Sequence, residues 1–263
     1  MESTQLSAPA GVEPTGTGVL VIHGFTSTPG SIRPWAQACN EAGHTVSTPM
    51  LPGHGTRWED LIETPAEAWF EAVEDAYDAL ASTVDRVAVC GLSMGGALAL
   101  HLAAVRRPVA VYLVNPALTP HPFAMRLTPA LKYMRRSVAG IGGDVARPGS
   151  AEPTYERTAV AAVAQLARLQ RQVRGELPGI SAPVTLFRSD VDHVVSDASV
   201  AAVRSGLRAD VDYTQIPLHE SFHVATLDYD ADLIAYHTLT DLERFTPSGP
   251  AAGTGRHRGK EGA

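Results

Sequence analysis

The chain has 263 residues, of which 44% are hydrophobic, and this is enough for one large α/β domain with a sizeable core. Lys and Arg number 21 against 28 for Asp and Glu, and the net charge of -7 argues against nucleic acid as a partner. Two cysteines are too few for a disulfide framework. With no leader-like start and no apolar run near the ~20 residues that span a bilayer, the sequence predicts a cytoplasmic protein with reduced thiols.

The N-terminal half alternates short apolar runs with helical patterns, which predicts a mainly parallel sheet with helices on both faces. Residues 1–16 are rich in Pro, Gly, Ser and Thr, and we expect a mobile arm or at most a short edge strand. The elements predicted after this arm are strands over 19–22, 45–49 and 86–90, a helix capped by Ser31 that runs to Ala42, and a helix capped by Thr64 that runs to about Ala81.

A sharp turn between a strand and a helix lies at the centre of the pattern. The sequence Gly-Leu-Ser-Met-Gly-Gly occupies 91–96, between the apolar runs Val87–Cys90 and Ala97–Val105. A Gly-x-Ser-x-Gly turn in this setting is typical of a nucleophile elbow, in which a strained backbone points the serine hydroxyl outward. Glycines are expected beside the serine because strand and helix pack too closely there for a Cβ atom. Ser93 is therefore the predicted nucleophile, and the alternative is a glycine-rich turn that happens to hold a serine.

The second half contains a long interruption of the strand pattern. After a strand over 109–114 the pattern resumes only at 183–187, so residues 117–181 are predicted to be an inserted cap between two parts of a core that comprises 17–116 and 182–246. The cap holds two apolar helical stripes, one formed by Phe123, Leu127, Leu131 and Met134 and the other by Val160, Val163, Leu166, Leu169 and Val173.

Basic residues interleave with the first of these stripes, namely Arg126, Lys132, Arg135 and Arg136. They are compatible with transient contact with a lipid surface, although an ordinary solvated face is favoured. The elements predicted after the cap are a helix over 196–207, a strand over 211–216, a loop over 217–223, a helix over 226–245 and a disordered tail over 247–263.

A serine nucleophile needs a base that accepts its proton and an acid that orients the base. In sheets built around such an elbow, the acid and then the base follow the serine along the chain. Asp192, just past a late strand, is the predicted acid, and Asp190 is the less favoured alternative. His223 is the predicted base because it directly precedes the last predicted helix, whereas His219 is assigned to hydrogen bonding within the loop.

The oxyanion that develops during acyl transfer needs backbone N–H donors. The N–H of Met94 follows the nucleophile at the start of a helix, and the N–H of Phe25 lies in a His-Gly-Phe turn at the end of an early strand. Both are predicted donors, and the alternative for the second is a plain turn.

Taken together, these motifs resemble those of the bacterial monoacylglycerol lipases and related small carboxylesterases of the α/β-hydrolase superfamily. The resemblance covers about 19–245 and rests on the residues of 21–29, 53–56, 91–96, 189–195 and 223–230. It implies an α/β-hydrolase fold with a small cap and the triad Ser93, Asp192 and His223. It also implies that Phe25 and Met94 supply the oxyanion hole and that Ile141 and Glu152 recognise glycerol. The cap departs from the family over 120–136.

Two patterns resemble metal sites. Residues 219–223 match the zinc-protease pattern His-Glu-x-x-His, but they lie on a predicted loop rather than a helix. Residues 228–232 resemble the start of a calcium loop, but Leu233 replaces its glycine and Leu239 its closing glutamate, so acidic residues near a helix N-terminus are the favoured interpretation. Because a phosphate-binding glycine loop is also absent, the sequence implies no metal and no cofactor.

The sequence favours a serine esterase that acts on small lipid esters, above all monoacylglycerols, through an acyl-enzyme. The same residues suit a general short-to-medium-chain carboxylesterase, a thioesterase or a C–C bond hydrolase. Outside enzymes, the alternative is a ligand-binding receptor with a hydrolase fold. Epoxide hydrolases and dehalogenases are disfavoured because their elbow nucleophile is aspartate. Oligomeric state and chain-length preference do not follow from the sequence.

Overall fold

A computed structural model of the chain describes residues 4–120, 136–140 and 142–245. Its main strands are β1 (Thr4–Leu6), β2 (Thr17–Ile22), β3 (Thr45–Thr48), β4 (Arg86–Leu92), β5 (Val111–Val114), β8 (Val184–Ser189) and β9 (Tyr213–Leu218). They form one sheet in the order β1-β3-β2-β4-β5-β8-β9, in which only the edge strand β1 is antiparallel to its neighbour. The predicted mainly parallel α/β architecture is confirmed.

Helices cover both faces of this sheet. They are α1 (Arg33–Glu41), α2 (Ala66–Ala81), α3 (Met94–Val105), α4 (Val160–Glu176), α5 (Asp197–Gly206) and α6 (Ala231–Leu242). Alternate residues of β2 enter two separate apolar clusters: Leu20 packs with α2, α3 and α4, and Val19 packs with α1 and α6. No helix within the described ranges is long and apolar enough to cross a bilayer.

Between β5 and β8 the chain forms a short antiparallel pair, β6 (Ser137–Ala139) with β7 (Arg157–Ala159), and then α4. Helix α4 contains the second predicted stripe, of which Val160, Val163, Leu169 and Val173 are buried. The first predicted stripe, the basic residues 126–135 and Ile141 lie outside the described residues.

Both predicted helix caps in the N-terminal half are wrong. Thr28, rather than Ser31, accepts a hydrogen bond from Gly30 N–H and caps a 3₁₀ turn that precedes α1. Thr64 donates its hydroxyl to the carbonyl of Asp60, 2.7 Å away, and does not cap α2. The first N–H of α2 donates instead to the side chain of Gln165 on α4, at 3.2 Å. A partner distant in sequence thus replaces the local cap.

The predicted C-terminal boundaries also shift. Strand β9 continues through Pro217 to Leu218. Proline lacks a backbone N–H, but β9 is an edge strand, so a proline nitrogen that faces away from the sheet costs no hydrogen bond between strands. The last helix begins at Ala231 instead of Thr226, whose hydroxyl donates to the carbonyl of Ser31 at 2.6 Å.

His101 on α3 joins three helices behind the elbow. Its Nδ1 lies 2.8 Å from a carboxylate oxygen of Glu176 on α4, and its Nε2 lies 3.0 Å from one of Glu74 on α2. The residue is 4% exposed, and both ring nitrogens have a partner in the core. Burial by itself lowers the pKa of His101, but the hydrogen bonds and charges of the two carboxylates outweigh it and hold the pKa above 6.5.

We expect His101→Gln to lower the free energy of unfolding by about 2 kcal/mol near pH 6, because two hydrogen bonds to charged groups are weakened. Since the pKa is higher in the folded state, this stabilisation is complete below the pKa of the unfolded chain and is lost as the pH rises through the folded value. Urea denaturation of both proteins should therefore show a smaller difference at about pH 9 than at about pH 6. An equal difference at the two pH values would show that the stabilising form is not the imidazolium.

Candidate active site

The elbow at Ser93 is strained in the way its sequence predicts. Ser93 has φ 57° and ψ -116° between the end of β4 and the start of α3, a conformation that costs ~1–3 kcal/mol. A Cβ on Gly91 would lie 2.1 Å from the carbonyl oxygen of Gly95, and one on Gly95 would lie 2.1 Å from that of Ile22. The predicted need for both glycines is therefore confirmed, and the serine is held at the carboxyl end of the central strand.

His23 fixes the turn that carries Phe25. Its Nε2 accepts a hydrogen bond from Leu51 N–H at 3.2 Å, so the ring proton lies on Nδ1, which donates to the carbonyl of Gly24 at 2.9 Å. Burial, and then the charge of His54, lower the pKa of His23 to about 3. A neutral imidazole with one fixed tautomer therefore orients the peptide between Gly24 and Phe25.

The two predicted oxyanion donors follow the ends of two neighbouring strands, β2 and β4. Met94 is the first residue of α3, so the helix supplies no acceptor for its N–H. Phe25 follows β2, which pairs with β4 in parallel, and the bare Cα of Gly24 faces the elbow, where a Cβ would lie 3.5 Å from that of Ser93. Met94 is fully buried, and its side chain packs in the apolar core.

The predicted acid and base form one buried pair, and their alternatives form a separate exposed pair. His223 Nδ1 lies 3.0 Å from Asp192 Oδ2, and the two side chains are 6% and 0% exposed. His219 Nδ1 lies 2.6 Å from Asp190 Oδ2, with side chains 68% and 54% exposed. Only the first pair is shielded from water as a catalytic carboxylate and imidazole need to be.

Asp192 is held in its charged form by several donors. Its Oδ1 accepts the N–H groups of Val194 and Val195 at 2.9 and 2.8 Å, and its Oδ2 also accepts from Arg188 Nη1 at 2.6 Å. Burial alone would raise the pKa of Asp192, but the hydrogen bond and charge of His223 and the two N–H groups lower it to about 2. The carboxylate is therefore ionised and immobile throughout the neutral range.

One cavity brings four of the predicted site residues together. It contains about 740 Å³ of empty space, its open mouth included, and its wall includes Phe25, Ser93, Glu152 and His223. Glu152 Oε2 accepts a hydrogen bond from Gly143 N–H at 2.8 Å. The rest of the wall is mostly apolar and comes from Leu92, Ala117, Pro120, Val163, Leu166, Ala167, Val194 and Val195.

The chain is similar over most of its length to proteins of known function. A family model for alpha/beta hydrolases matches residues 19–238. The chain belongs to the alpha/beta hydrolase family. It is 39% identical to a thermostable monoacylglycerol lipase of Bacillus sp. strain H-257 over 223 residues, which are 84% of this chain and 88% of the relative.

A second relative of this alpha/beta hydrolase is a carboxylesterase of Bacillus subtilis strain 168, 28% identical over 86% of this chain and 92% of its own. A solved structure of a metagenome-derived lipolytic enzyme superposes with a TM-score of 0.84 at 30% identity and covers 92% of this chain and 97% of the other. The family recognised from the sequence motifs is confirmed, and the protein is a carboxylic ester hydrolase.

Several residues that support the hydrolase site were not found from the sequence. Asn115, which has φ 44°, donates from Nδ2 to the carbonyl of His223 at 2.9 Å and to Ser189 Oγ at 2.8 Å. Arg188 binds the carboxylate of Asp192. A single arginine at the end of an apolar strand needs an anionic or hydrogen-bonding partner, because burying an unpaired charge is costly. The sequence could therefore have pointed to Arg188, whereas Asn115 has no comparable signal.

Asp144 joins the loops that carry His223 and Asp192. Its Oδ2 accepts the backbone N–H of His223 and of His193, both at 3.1 Å, and its carbonyl accepts Val224 N–H at 3.0 Å. Asp228 has a similar role, since its Oδ2 accepts N–H groups from Ala146 at 2.7 Å and from the loop before His223 at 3.0 Å. The segment between β5 and β8 is thereby attached to the loop that carries His223.

The two metal-like patterns have other uses in the structure. Residues 219–224 form no helix, and the imidazoles of His219 and His223 bind different carboxylates. Asp228 and Asp230 accept backbone N–H groups of neighbouring loops. Within 4–120, 136–140 and 142–245, no group of three or more His, Cys, Asp or Glu side chains is arranged to hold a metal ion.

Proposed function

We propose that this alpha/beta hydrolase cleaves monoacylglycerols to glycerol and fatty acid, with Ser93 as nucleophile, His223 as base and Asp192 as acid. The observation that carries the proposal is the single cavity, in which Ser93 and His223 share an apolar wall with the carboxylate of Glu152. The name of the 39% identical relative, a monoacylglycerol lipase, supports the same substrate.

The reaction proceeds in two acyl transfers. His223 accepts the hydroxyl proton of Ser93 as Oγ attacks the ester carbonyl, and Asp192 stabilises the imidazolium. The N–H groups of Phe25 and Met94 hold the oxyanion. When the tetrahedral intermediate collapses, the C–O bond to glycerol breaks and the imidazolium returns its proton to the leaving oxygen. Water, deprotonated by His223, then attacks the acyl-enzyme. The bond between the acyl carbon and Ser93 Oγ breaks, the imidazolium returns the proton to Oγ, and the fatty acid is released.

We assign residues 117–181 as a cap that shapes the two ends of the substrate site. Helix α4 contributes Val163, Leu166 and Ala167 to the cavity, and these side chains suit an acyl chain. The core of 17–116 and 182–246 supplies the reacting groups. Contact of the cap with a lipid surface stays a prediction, since it rests on residues outside the described ranges.

Glu152 is the proposed acceptor for the glycerol hydroxyls. One of its oxygens is fixed by Gly143 N–H, which orients the carboxylate towards the cavity that it lines. A monoacylglycerol has two free hydroxyls that can donate to such a group. A site built to bind hydroxyls rejects analogues without them, because its polar groups are then left unpaired. Ile141 is proposed to cover the carbon side of the glycerol.

We expect Glu152→Ala to lower kcat/KM for a 1-monoacylglycerol by about tenfold to hundredfold, the value of one hydrogen bond to a charged group. Turnover of p-nitrophenyl esters, which have no glycerol to bind, should stay within about twofold of wild type. Glu156→Ala is the matched control, because Glu156 is exposed on the same segment and does not line the cavity. Equal losses on both ester types in Glu152→Ala would refute the glycerol site.

A general carboxylesterase is the second candidate, and it is favoured by the relative of that name with 28% identity. The two candidates share the triad and differ only in the leaving group they recognise. The Glu152 comparison therefore separates them, since a general carboxylesterase would lose the same fraction of activity on every ester.

A further inference from the structure

The cavity wall on α4 contains one polar residue. Residues Val163, Leu166, Ala167 and Gln170 follow the i, i+3, i+4, i+7 spacing of a single helix face, and all four line the cavity. Gln170 is only 2% exposed, and its Oε1 has no hydrogen-bond partner among the described residues. A buried acceptor without a partner costs ~1–3 kcal/mol, and Leu or Met would fill the same space at no such cost.

Glu152 lies on the β2 side of the nucleophile. Tyr155 N–H donates to the carbonyl of Thr26, in the loop after β2, at 3.2 Å, and Ser27 Oγ in the same loop donates to the carbonyl of Pro153 at 3.5 Å. The segment that carries Glu152 is thus attached beside β2. Strand β4, which precedes Ser93, lies between β2 and β5.

Gln170 lies on the β5 side. Arg174, one helical turn after Gln170, donates to the carbonyl of Leu118 in the segment after β5. Thr119 of that segment lines the cavity together with Gln170. Glu152 and Gln170 therefore lie on opposite sides of the nucleophile. If Glu152 binds the glycerol, Gln170 faces the acyl chain.

We propose that Gln170 is a specificity residue that binds a hydroxyl group on the acyl chain, so that esters of hydroxylated fatty acids are preferred substrates. The inference rests on the proposed function. A hydroxyl both donates and accepts, so it satisfies the amide whichever way the amide is oriented. A charged group on the acyl chain fits less well, because the acidic and basic side chains among the described residues of the wall are Glu152, on the other side, and the base His223.

The test compares p-nitrophenyl decanoate with its monohydroxylated isomers, in which the hydroxyl is moved along the chain. In the wild type we expect kcat/KM for at least one isomer to be about tenfold higher than for the unsubstituted ester. This ratio corresponds to the net free energy of about one hydrogen bond. Gln170→Met should remove that advantage and retain turnover of the unsubstituted ester. Gln172→Met is the matched control, since Gln172 is exposed on the same helix, and it should keep the wild-type preference.

If no isomer is preferred, or if Gln170→Met keeps the preference, the inference is wrong while turnover of the unsubstituted ester still supports the proposed esterase. Calorimetric binding of the free hydroxydecanoic acids to Ser93→Ala reports the same contact without turnover. We expect at least one hydroxydecanoic acid to bind more tightly than decanoic acid, and we expect this difference to be lost in Ser93→Ala combined with Gln170→Met. Equal binding of all the acids overturns the inference.

Discussion

Replacing Ser93 by alanine is expected to reduce ester turnover by about 10⁵- to 10⁶-fold, because the attacking oxygen is removed and the remaining groups act as a unit with it. The fold should be retained, since alanine has a smaller side chain than serine and the strained turn at φ 57° is imposed by the packing of Gly91 and Gly95. Kinetics with p-nitrophenyl butyrate and covalent labelling with a fluorophosphonate measure the loss.

The matched control for this variant is Ser205→Ala, which changes an exposed serine of α5. This control should react with the fluorophosphonate and hydrolyse p-nitrophenyl butyrate as the wild type does. Circular dichroism of all three proteins shows whether the fold is retained. Stoichiometric labelling of Ser93→Ala at one other serine would mean that the elbow does not hold the nucleophile.

Asp192→Asn is expected to reduce kcat by about 10⁴-fold, the effect seen when the carboxylate of a serine protease triad becomes an amide and the imidazole adopts the wrong tautomer. Asp190→Asn should change kcat by less than about threefold, because its ion pair with His219 is exposed and such pairs contribute little. Asp190→Asn is thus the natural control, two residues away with the same chemical change.

Thermal denaturation must accompany the Asp192 comparison, because the amide also weakens the bond to the largely buried guanidinium of Arg188. Activity is therefore measured well below the melting temperature of each variant. Equal losses in the two variants would remove the distinction between the carboxylates, and a larger loss at Asp190 would make Asp190 the acid.

The parts of the site that the sequence predicted are those fixed by local chain geometry. The elbow could be located because strain at Ser93 and close packing at Gly91 and Gly95 impose residue types within one pentapeptide. The strands could be located because burial on both faces of a parallel sheet produces short continuous apolar runs. The choice of Asp192 over Asp190 rested on the position of the residue after a late strand and on the family resemblance, and the difference in burial that separates the two carboxylates exists only in the fold.

The parts that could not be predicted depend on partners distant in sequence. The cap of α2 comes from Gln165, about a hundred residues after Thr64, so a local capping rule selected the wrong residue. The contact between Asp144 and the His223 loop likewise joins segments that no short pattern connects. Gln170 lies next to Leu169 of a predicted apolar stripe, and only the packing of α4 shows that it faces the cavity.

In the proposed complex the site binds a monoacylglycerol through its glycerol hydroxyls while Ser93 takes the acyl group. The most direct measurement compares kcat/KM of the wild type for mono-, di- and trioleoylglycerol under one set of dispersion conditions. We expect a preference for monooleoylglycerol over trioleoylglycerol of at least about tenfold, because a fully acylated glycerol leaves Glu152 without a hydroxyl donor. Hydrolysis of trioleoylglycerol as efficient as that of monooleoylglycerol would contradict this expectation.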